Sequence, residues 1–257
     1  MCGRFALTTP LNSVAEIFDA VVDPALVDVL SASGEQEDEQ GSADAASPLA
    51  APQYNICPTQ QIAVIRAGAE GRTLSALRWG FLPSWYKAPN GGPLLINARS
   101  ETLATKRAFA RSARERRCLI PATGFYEWRT VEGPAGKPVK QPFWLSPAPD
   151  PSNNRPVVAF GGIWRTWTGP DGATLTTCAI VTTASNEVLK DIHHRLPLAI
   201  APDDWGLWLG EEGRGAALLM KPAEDAFWAF HEVAPEVNKS RADGPELMTP
   251  LETSRLI

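Results

Sequence analysis

The sequence predicts a single-domain α+β fold, a curved, mainly antiparallel, barrel-like β-sheet flanked by helices. Three observations predict it. Six segments rich in β-branched and aromatic residues, punctuated by Gly and Pro, follow one another after Gln53. Helical periodicity is confined to a few stretches, too few to alternate with strands as a doubly wound sheet requires. At 257 residues the chain can bury a real hydrophobic core.

The elements follow in chain order. Thr8-Thr9-Pro10 reads as an N-cap with Pro at the first helical position. Leu11, Val14, Ala15 and Phe18 then recur at i, i+3, i+4 and i+7, which predicts a short amphipathic helix. Over 31–53 the chain is rich in Ala, Ser, Gly, Glu and Asp, with almost nothing to bury; this predicts a disordered acidic insertion within the single domain 1–257. Strands are predicted over 62–66, 74–79, 125–129, 142–145, 157–164 and 176–183. A helix is predicted over 101–117, where Ala, Leu and Arg favour it, and short helices over 203–209 and 214–220.

A 44% hydrophobic and 21% charged composition is that of a globular chain, and no run reaches the ~18 apolar residues of a membrane span. The start, MCGRFALTTP, lacks the basic and apolar regions of a signal peptide, so a cytoplasmic location with reduced thiols is expected, nucleoid-associated if bacterial. Cys2, Cys57, Cys118 and Cys178 show no CxxC pair and no metal-ligand spacing, so neither metal nor organic cofactor is expected. A monomer is the expected state.

The net charge of −5 is unevenly placed. Residues 31–53 carry five acids and no base, and the rest of the chain is formally neutral. Residues 97–118 carry seven bases against Glu101 and Glu115. A local patch of this kind attracts phosphates whatever the overall charge, although a solvated helix face would look the same.

Four segments have the character of sites. If Met1 is removed, Cys2 presents an α-amine and a thiol on adjacent carbons. The amine, with a reference pKa near ~7.7–8.0, can form a Schiff base with an aldehyde, and the thiol can close a five-membered thiazolidine on the same carbon. In LLINARSET an apolar run ends in Asn97, Arg99 and Glu101, suited to orienting a group by its amide and gripping a phosphate. In PATGFYEWR strand alternation puts Phe125 and Glu127 on one face and Tyr126 and Trp128 on the other, so burial would raise the Glu127 pKa and make it an acid. DIHHRLP holds two of the three histidines and suggests a proton shuttle; adjacent histidines on a strand point apart, which argues against a metal. Each segment also has a structural reading: an incidental terminal Cys, an Asx turn, a solvent-facing glutamate, a surface His pair.

Taken together, MCGRF, YNICP (54–58), WGFLPSW (79–85), INARSET (96–102), GFYEW (124–128), IVTTA (180–184), DIHHRLP (191–197) and VN…DGPELMTP (237–250) closely resemble, in this order, the SOS-response-associated peptidase (SRAP) family. The resemblance covers almost the whole chain outside about 22–53. It implies a covalent thiazolidine crosslink between Cys2 and abasic sites in single-stranded DNA, which shields the lesion. It further implies that Asn97 orients the amine and sugar, Glu127 assists sugar-ring opening, and His193 moves protons. Arg4, Arg99, Arg107 and Thr182 would contact DNA, and Trp79, Trp85 and Tyr86 would stack on bases or wedge the strand. Two departures stand out: the insertion is longer and more acidic than the family pattern, and Thr183-Ala184-Ser185 follows it loosely. A thiol (auto)peptidase using Cys2, His193 and Glu127, and a non-covalent reader of modified DNA, are the alternatives.

Overall fold

The computed structural model describes residues 2–31, 49, 51–133, 136–149 and 157–251. Most of the expected acidic insertion lies outside the described residues. Along the chain run β1 (Arg4–Leu7), α1 (Leu11–Ile17), β2 (Ala20–Val22), α2 (Pro24–Ser31), β3 (Gln53–Ile56), β4 (Gln61–Gly68), β5 (Gly71–Trp79) and β6 (Asn97–Arg99). They are followed by α3 (Ala110–Glu115), β7 (Arg117–Ala122), β8 (Gly124–Glu132), β9 (Pro138–Pro147), β10 (Val158–Thr168) and β11 (Thr174–Ala184). The chain ends with β12 (Arg195–Pro197), β13 (Ala199–Ile200), α4 (Trp205–Leu209), β14 (Trp228–Glu232) and short 3-10 turns. Among the described residues no helix is long and apolar enough to cross a membrane.

The strands β5, β4, β7, β10 and β11 form a barrel. All neighbours in it are antiparallel except the closing pair, where β11 meets β5 in parallel through Thr177↔Arg78 and Cys178↔Trp79. Closure removes the open sheet edges that would otherwise invite pairing with other chains. A second sheet, in the order β14-β9-β8-β1-β3, packs against the barrel. Where the two sheets meet, the barrel strands are covered on both faces, so β7 and the first six residues of β10 are buried runs rather than alternating ones, while β10 from Trp164 onward reaches the surface. Phe5 of β1 is the main link, meeting Trp79 edge-on at 5.2 Å and Phe160 at 6.4 Å.

The barrel-like α+β expectation holds, and the differences are local. The helix expected over 101–117 shrinks to α3. The Thr105 hydroxyl donates to the Thr102 carbonyl at 3.2 Å, a local bond that competes with helix, and the apolar RCLIPA segment is drawn into the barrel as β7. The Thr8-Thr9 cap is not used: Pro10 occupies the N-cap with no side-chain bond, and Thr8 is engaged instead by Thr123 through its amide and hydroxyl at 2.9 and 3.1 Å. The helix expected over 214–220 is only a 3-10 turn at Ala216–Leu219, because Gly215 enters it at φ +138°, outside the helical region. The short strands β1 and β3 have no counterpart in the sequence reading. Gly80, at φ +137°, ends β5 and turns the chain into the loop that carries Trp85 and Tyr86.

Candidate functional site

β1 and β8 pair antiparallel with Arg4↔Tyr126 and Phe5↔Phe125, and one further step in this register sets Gly3 opposite Glu127. The alternation expected along β8 is present. Phe125 joins the main core with Cys2, whereas Tyr126 and Trp128 face a smaller cluster on the other side. Glu127 thus points to the side where Cys2 lies, and its carboxylate acts on the Cys2 thiol.

Cys2 is fully buried. Burial pushes its thiol well above the ordinary value, and the neighbouring Glu127 carboxylate adds to the effect. Asn97, at the start of β6, donates from Nδ2 to the Cys2 carbonyl at 2.8 Å. Its Oδ1 is buried and accepts no hydrogen bond among the described residues. A buried acceptor left open in this way is costly unless a ligand supplies the donor. β6 holds Asn97 there by pairing in parallel with β11, Ile180↔Asn97 to Thr182↔Arg99.

Glu127 is 2% exposed, and desolvation raises its pKa to about 7. His193 Nδ1 lies 3.8 Å from Glu127 Oε1. Burial lowers the His193 pKa to about 4, so the ring is neutral near pH 7. Its Nδ1 is 3.0 Å from both the amide nitrogen and the carbonyl oxygen of Arg195, accepting from the first in one tautomer and donating to the second in the other. His193 and His194 do not point apart as expected of a strand. They precede β12 in a turn, and their rings stack at 4.4 Å. Among the described residues no group of three His, Cys, Asp or Glu could hold a metal ion.

The structure therefore brings Cys2, Asn97, Glu127 and His193 together. It distributes the expected DNA-contacting residues less evenly. Arg99 and Arg107 are exposed, and the Arg107 guanidinium lies 5.0 Å over the half-exposed Trp85 ring. Tyr86 meets Trp85 edge-on at 6.4 Å, and its hydroxyl donates to the Pro93 carbonyl. Arg4 spends Nη1 on Asn55 Oδ1 at 2.9 Å and on the Val237 carbonyl at 2.7 Å, which gives it a framework duty. Trp79 is fully buried and donates to the Ile96 carbonyl at 3.0 Å; it is a core residue and cannot stack on a base. Thr182 is also fully buried, with its hydroxyl 3.3 Å from Arg195 Nη2, so its side chain faces no open surface.

The residue that sequence reasoning passed over is Arg195. It grips Glu101 through two bonds of 2.5 and 2.9 Å and donates to the Thr182 carbonyl at 2.5 Å, while its backbone amide holds His193. One guanidinium thus ties INARSET, IVTTA and DIHHRLP together. Its signal was its place inside DIHHRLP, where two histidines are the more conspicuous chemistry. Asn55 does similar work for YNICP: its Nδ2 donates to the carbonyls of Lys239 at 3.1 Å and Ala242 at 2.8 Å. Asp243 accepts from the Tyr54 amide at 2.6 Å, so the VN…DGPELMTP segment is a strap bound across β3.

Comparison with known proteins places the chain among named relatives. Abasic site processing protein YoaM of Bacillus subtilis is 33% identical over 253 residues, covering 96% of this chain and 97% of the relative. YoqW of the same organism, also named an abasic site processing protein, is 31% identical over 251 residues, covering 96% and 99%. The mouse abasic site processing protein HMCES is 30% identical over 236 residues, covering 78% of this chain and 65% of its own length. A crystal structure of a Bacteroides thetaiotaomicron protein shares the fold with a TM-score of 0.76 at 20% identity, covering 97% and 99% of the two chains. A Bordetella bronchiseptica protein shares it with a TM-score of 0.65 at 18% identity, covering 91% and 100%. The model of the SOS response associated peptidase (SRAP) family matches residues 1–240, and the chain belongs to that family.

Proposed function

We propose that the protein processes abasic sites in DNA by forming a thiazolidine crosslink between Cys2 and the lesion in a single strand. The observation that carries this reading is the meeting of four groups: the Cys2 backbone held by Asn97, a glutamate of raised pKa, and a histidine kept neutral. Relatives named abasic site processing proteins support the substrate.

The chemistry runs as follows. Removal of Met1 leaves Cys2 with a free α-amine. Glu127, with a pKa of about 7, is partly protonated near neutral pH and gives its proton to the ring oxygen of the closed sugar; the bond from that oxygen to C1 breaks while the C1 hydroxyl gives up its proton to the neutral His193, leaving the aldehyde. The neutral amine attacks the aldehyde carbon, and the carbinolamine loses water to give an imine. The Cys2 sulfur then adds to the same carbon, and its proton ends on the ring nitrogen, so the net loss is one water. Asn97 Oδ1 is an acceptor for the amine N–H. His193, neutral and 3.8 Å from Glu127, relays the protons. Arg99 and Arg107 hold flanking phosphates, and Trp85 gives a base a stacking surface.

A thiol peptidase reading fits less well. A thiol nucleophile needs a lowered pKa or a base beside the sulfur, yet burial and Glu127 both push the Cys2 thiol up. Thiazolidine closure does not need a standing thiolate, because the ring closes within one residue.

The test is incubation of the Met1-free protein with single-stranded DNA carrying one abasic site, read by denaturing electrophoresis and intact mass. The expected product is heat-stable, with a mass of protein plus DNA minus one water. Absence of any adduct, with Met1 verified as removed, overturns the proposal.

A further inference from the structure

The crosslinking chemistry needs the lesion and its nearest phosphates, yet positive charge in excess of its carboxylates continues beyond them. Arg116 precedes β7, Arg165 lies in β10 and Arg111 in α3. Only Arg111 has a carboxylate, Glu115 at 2.9 Å; Arg116 and Arg165 form no ion pair among the described residues. The Arg116 guanidinium stands 5.6 Å over Trp164, and Arg165 stands 5.9 Å over Phe81. Arg165 Nε is buried with no hydrogen-bond partner among the described residues. Burial holds the Arg165 guanidinium below its ordinary value, and the positive charges of Arg116 and Arg111 act in the same direction. Glu115 is the one carboxylate among these arginines and is held below its ordinary value by Arg111, Arg116 and Arg114; the excess of like charge disfavours the folded state, and a bound polyanion removes that repulsion.

The cluster is joined to the lesion-facing side. Phe81, under Arg165, meets Phe109 edge-on at 5.4 Å, and Phe109 closes the turn that carries Arg107 onto Trp85. β11 supplies the spacing: Thr182 pairs with Arg99, and Thr177 pairs with Arg165. The five steps between them span about 17 Å at strand rise. That is about five nucleotides of a stacked strand.

We propose that Arg111, Arg116 and Arg165 form a second phosphate-binding surface that holds the DNA strand beyond the lesion. The proposal rests on the DNA reading above and adds to it a longer footprint, reaching from Arg99 and Arg107 to Arg165 of β10.

The test is fluorescence anisotropy of the full chain with undamaged single-stranded oligonucleotides of about 6 and about 20 nucleotides, titrated with salt. The Arg116→Ala/Arg165→Ala double variant should bind the longer strand roughly tenfold or more weakly at low salt, with a log–log salt slope shallower by about 1.4 for two lost contacts. Binding of the short strand, and adduct formation on a short abasic oligonucleotide, should be unchanged. Arg111→Ala, fully on the surface, should lower the slope by about 0.7, and Arg165→Lys should keep it near wild type. Arg129→Ala, which breaks an exposed pair with Glu232 in the other sheet, should change nothing. An unchanged slope in both alanine variants, or an equal loss on the short strand, overturns this surface while leaving the crosslinking reading intact. A wild type that binds neither strand and forms no adduct overturns both.

Discussion

Replacing Glu127 by glutamine separates two consequences of burying a carboxyl at the reactive centre. In the folded protein its pKa is raised from 4.5 to about 7. Between those values the folded state binds the proton that the unfolded chain releases, so this contribution to stability is fully present below pH 4.5 and is lost as pH rises through 7. A shift of this size corresponds to about 3 kcal/mol. Glutamine keeps the shape without the ionisation, so Glu127→Gln should match wild type at pH 4 and exceed it by about 3 kcal/mol at pH 8.5. For a domain of this size that is roughly 6–12 °C in Tm. Catalysis should move the other way, with adduct formation slower by about 10²–10⁴-fold. The pH–rate profile should change shape as well. Wild type should show a bell, with an alkaline limb set by Glu127 near pH 7 and an acid limb set by deprotonation of the α-amine. The variant should lose the alkaline limb and level off at high pH. Thermal scans at the two pH values and single-turnover crosslinking across pH 5–10 are the assays. An alkaline limb that survives in Glu127→Gln, or a variant no more stable than wild type at pH 8.5, would refute the assignment of a buried general acid.

Three other changes test the remaining parts. Cys2→Ser should give no heat-stable adduct but should still be trapped on abasic DNA by borohydride, because the amine remains; a stable adduct at normal yield would count against the thiazolidine. Arg195→Ala removes a guanidinium that is 7% exposed and serves Glu101 and Thr182, and should lower stability by about 2–4 kcal/mol in thermal unfolding. Arg195→Lys should recover only part of this, since an ammonium cannot make the two-pronged contact; full recovery would mean that charge alone matters. Trp85→Ala should weaken binding to single-stranded DNA by roughly 1–3 kcal/mol with no change in Tm, because the ring is half exposed; a large drop in Tm would make Trp85 a packing residue.

The parts of this protein that were legible in sequence are those whose signal is local. The core runs of β4, β5, β8, β10 and β11 announced themselves by β-branched and aromatic content, and the Leu11–Phe18 spacing announced α1. The alternation in GFYEW was enough to place Glu127 opposite Tyr126 and Trp128, because side-chain direction in a strand has period two. The chemistry available to Cys2 was also legible, since it depends on one residue and its neighbour in the chain.

Other features depended on distant partners. Thr8 and Thr9 have the chemistry of a cap, but Thr8 is engaged instead by Thr123, between β7 and β8. Helix-forming residues over 101–117 keep helix only in α3, because turns held by the Thr102 carbonyl precede it and the chain enters the barrel at Arg117 as β7, between β4 and β10. Trp79 and Thr182 share motifs with exposed residues yet are buried, and Arg195, set beside two histidines, is the tie between three motifs. The sequence by itself determined which segments are strands, which residues carry reactive chemistry and where the charge is gathered, because propensity, periodicity and side-chain chemistry are properties of neighbours. Only the tertiary structure decided which residues are buried, which cations keep a carboxylate partner and which pKa values move, because desolvation and ion pairing act through space between residues as far apart as Asn97 and Cys2.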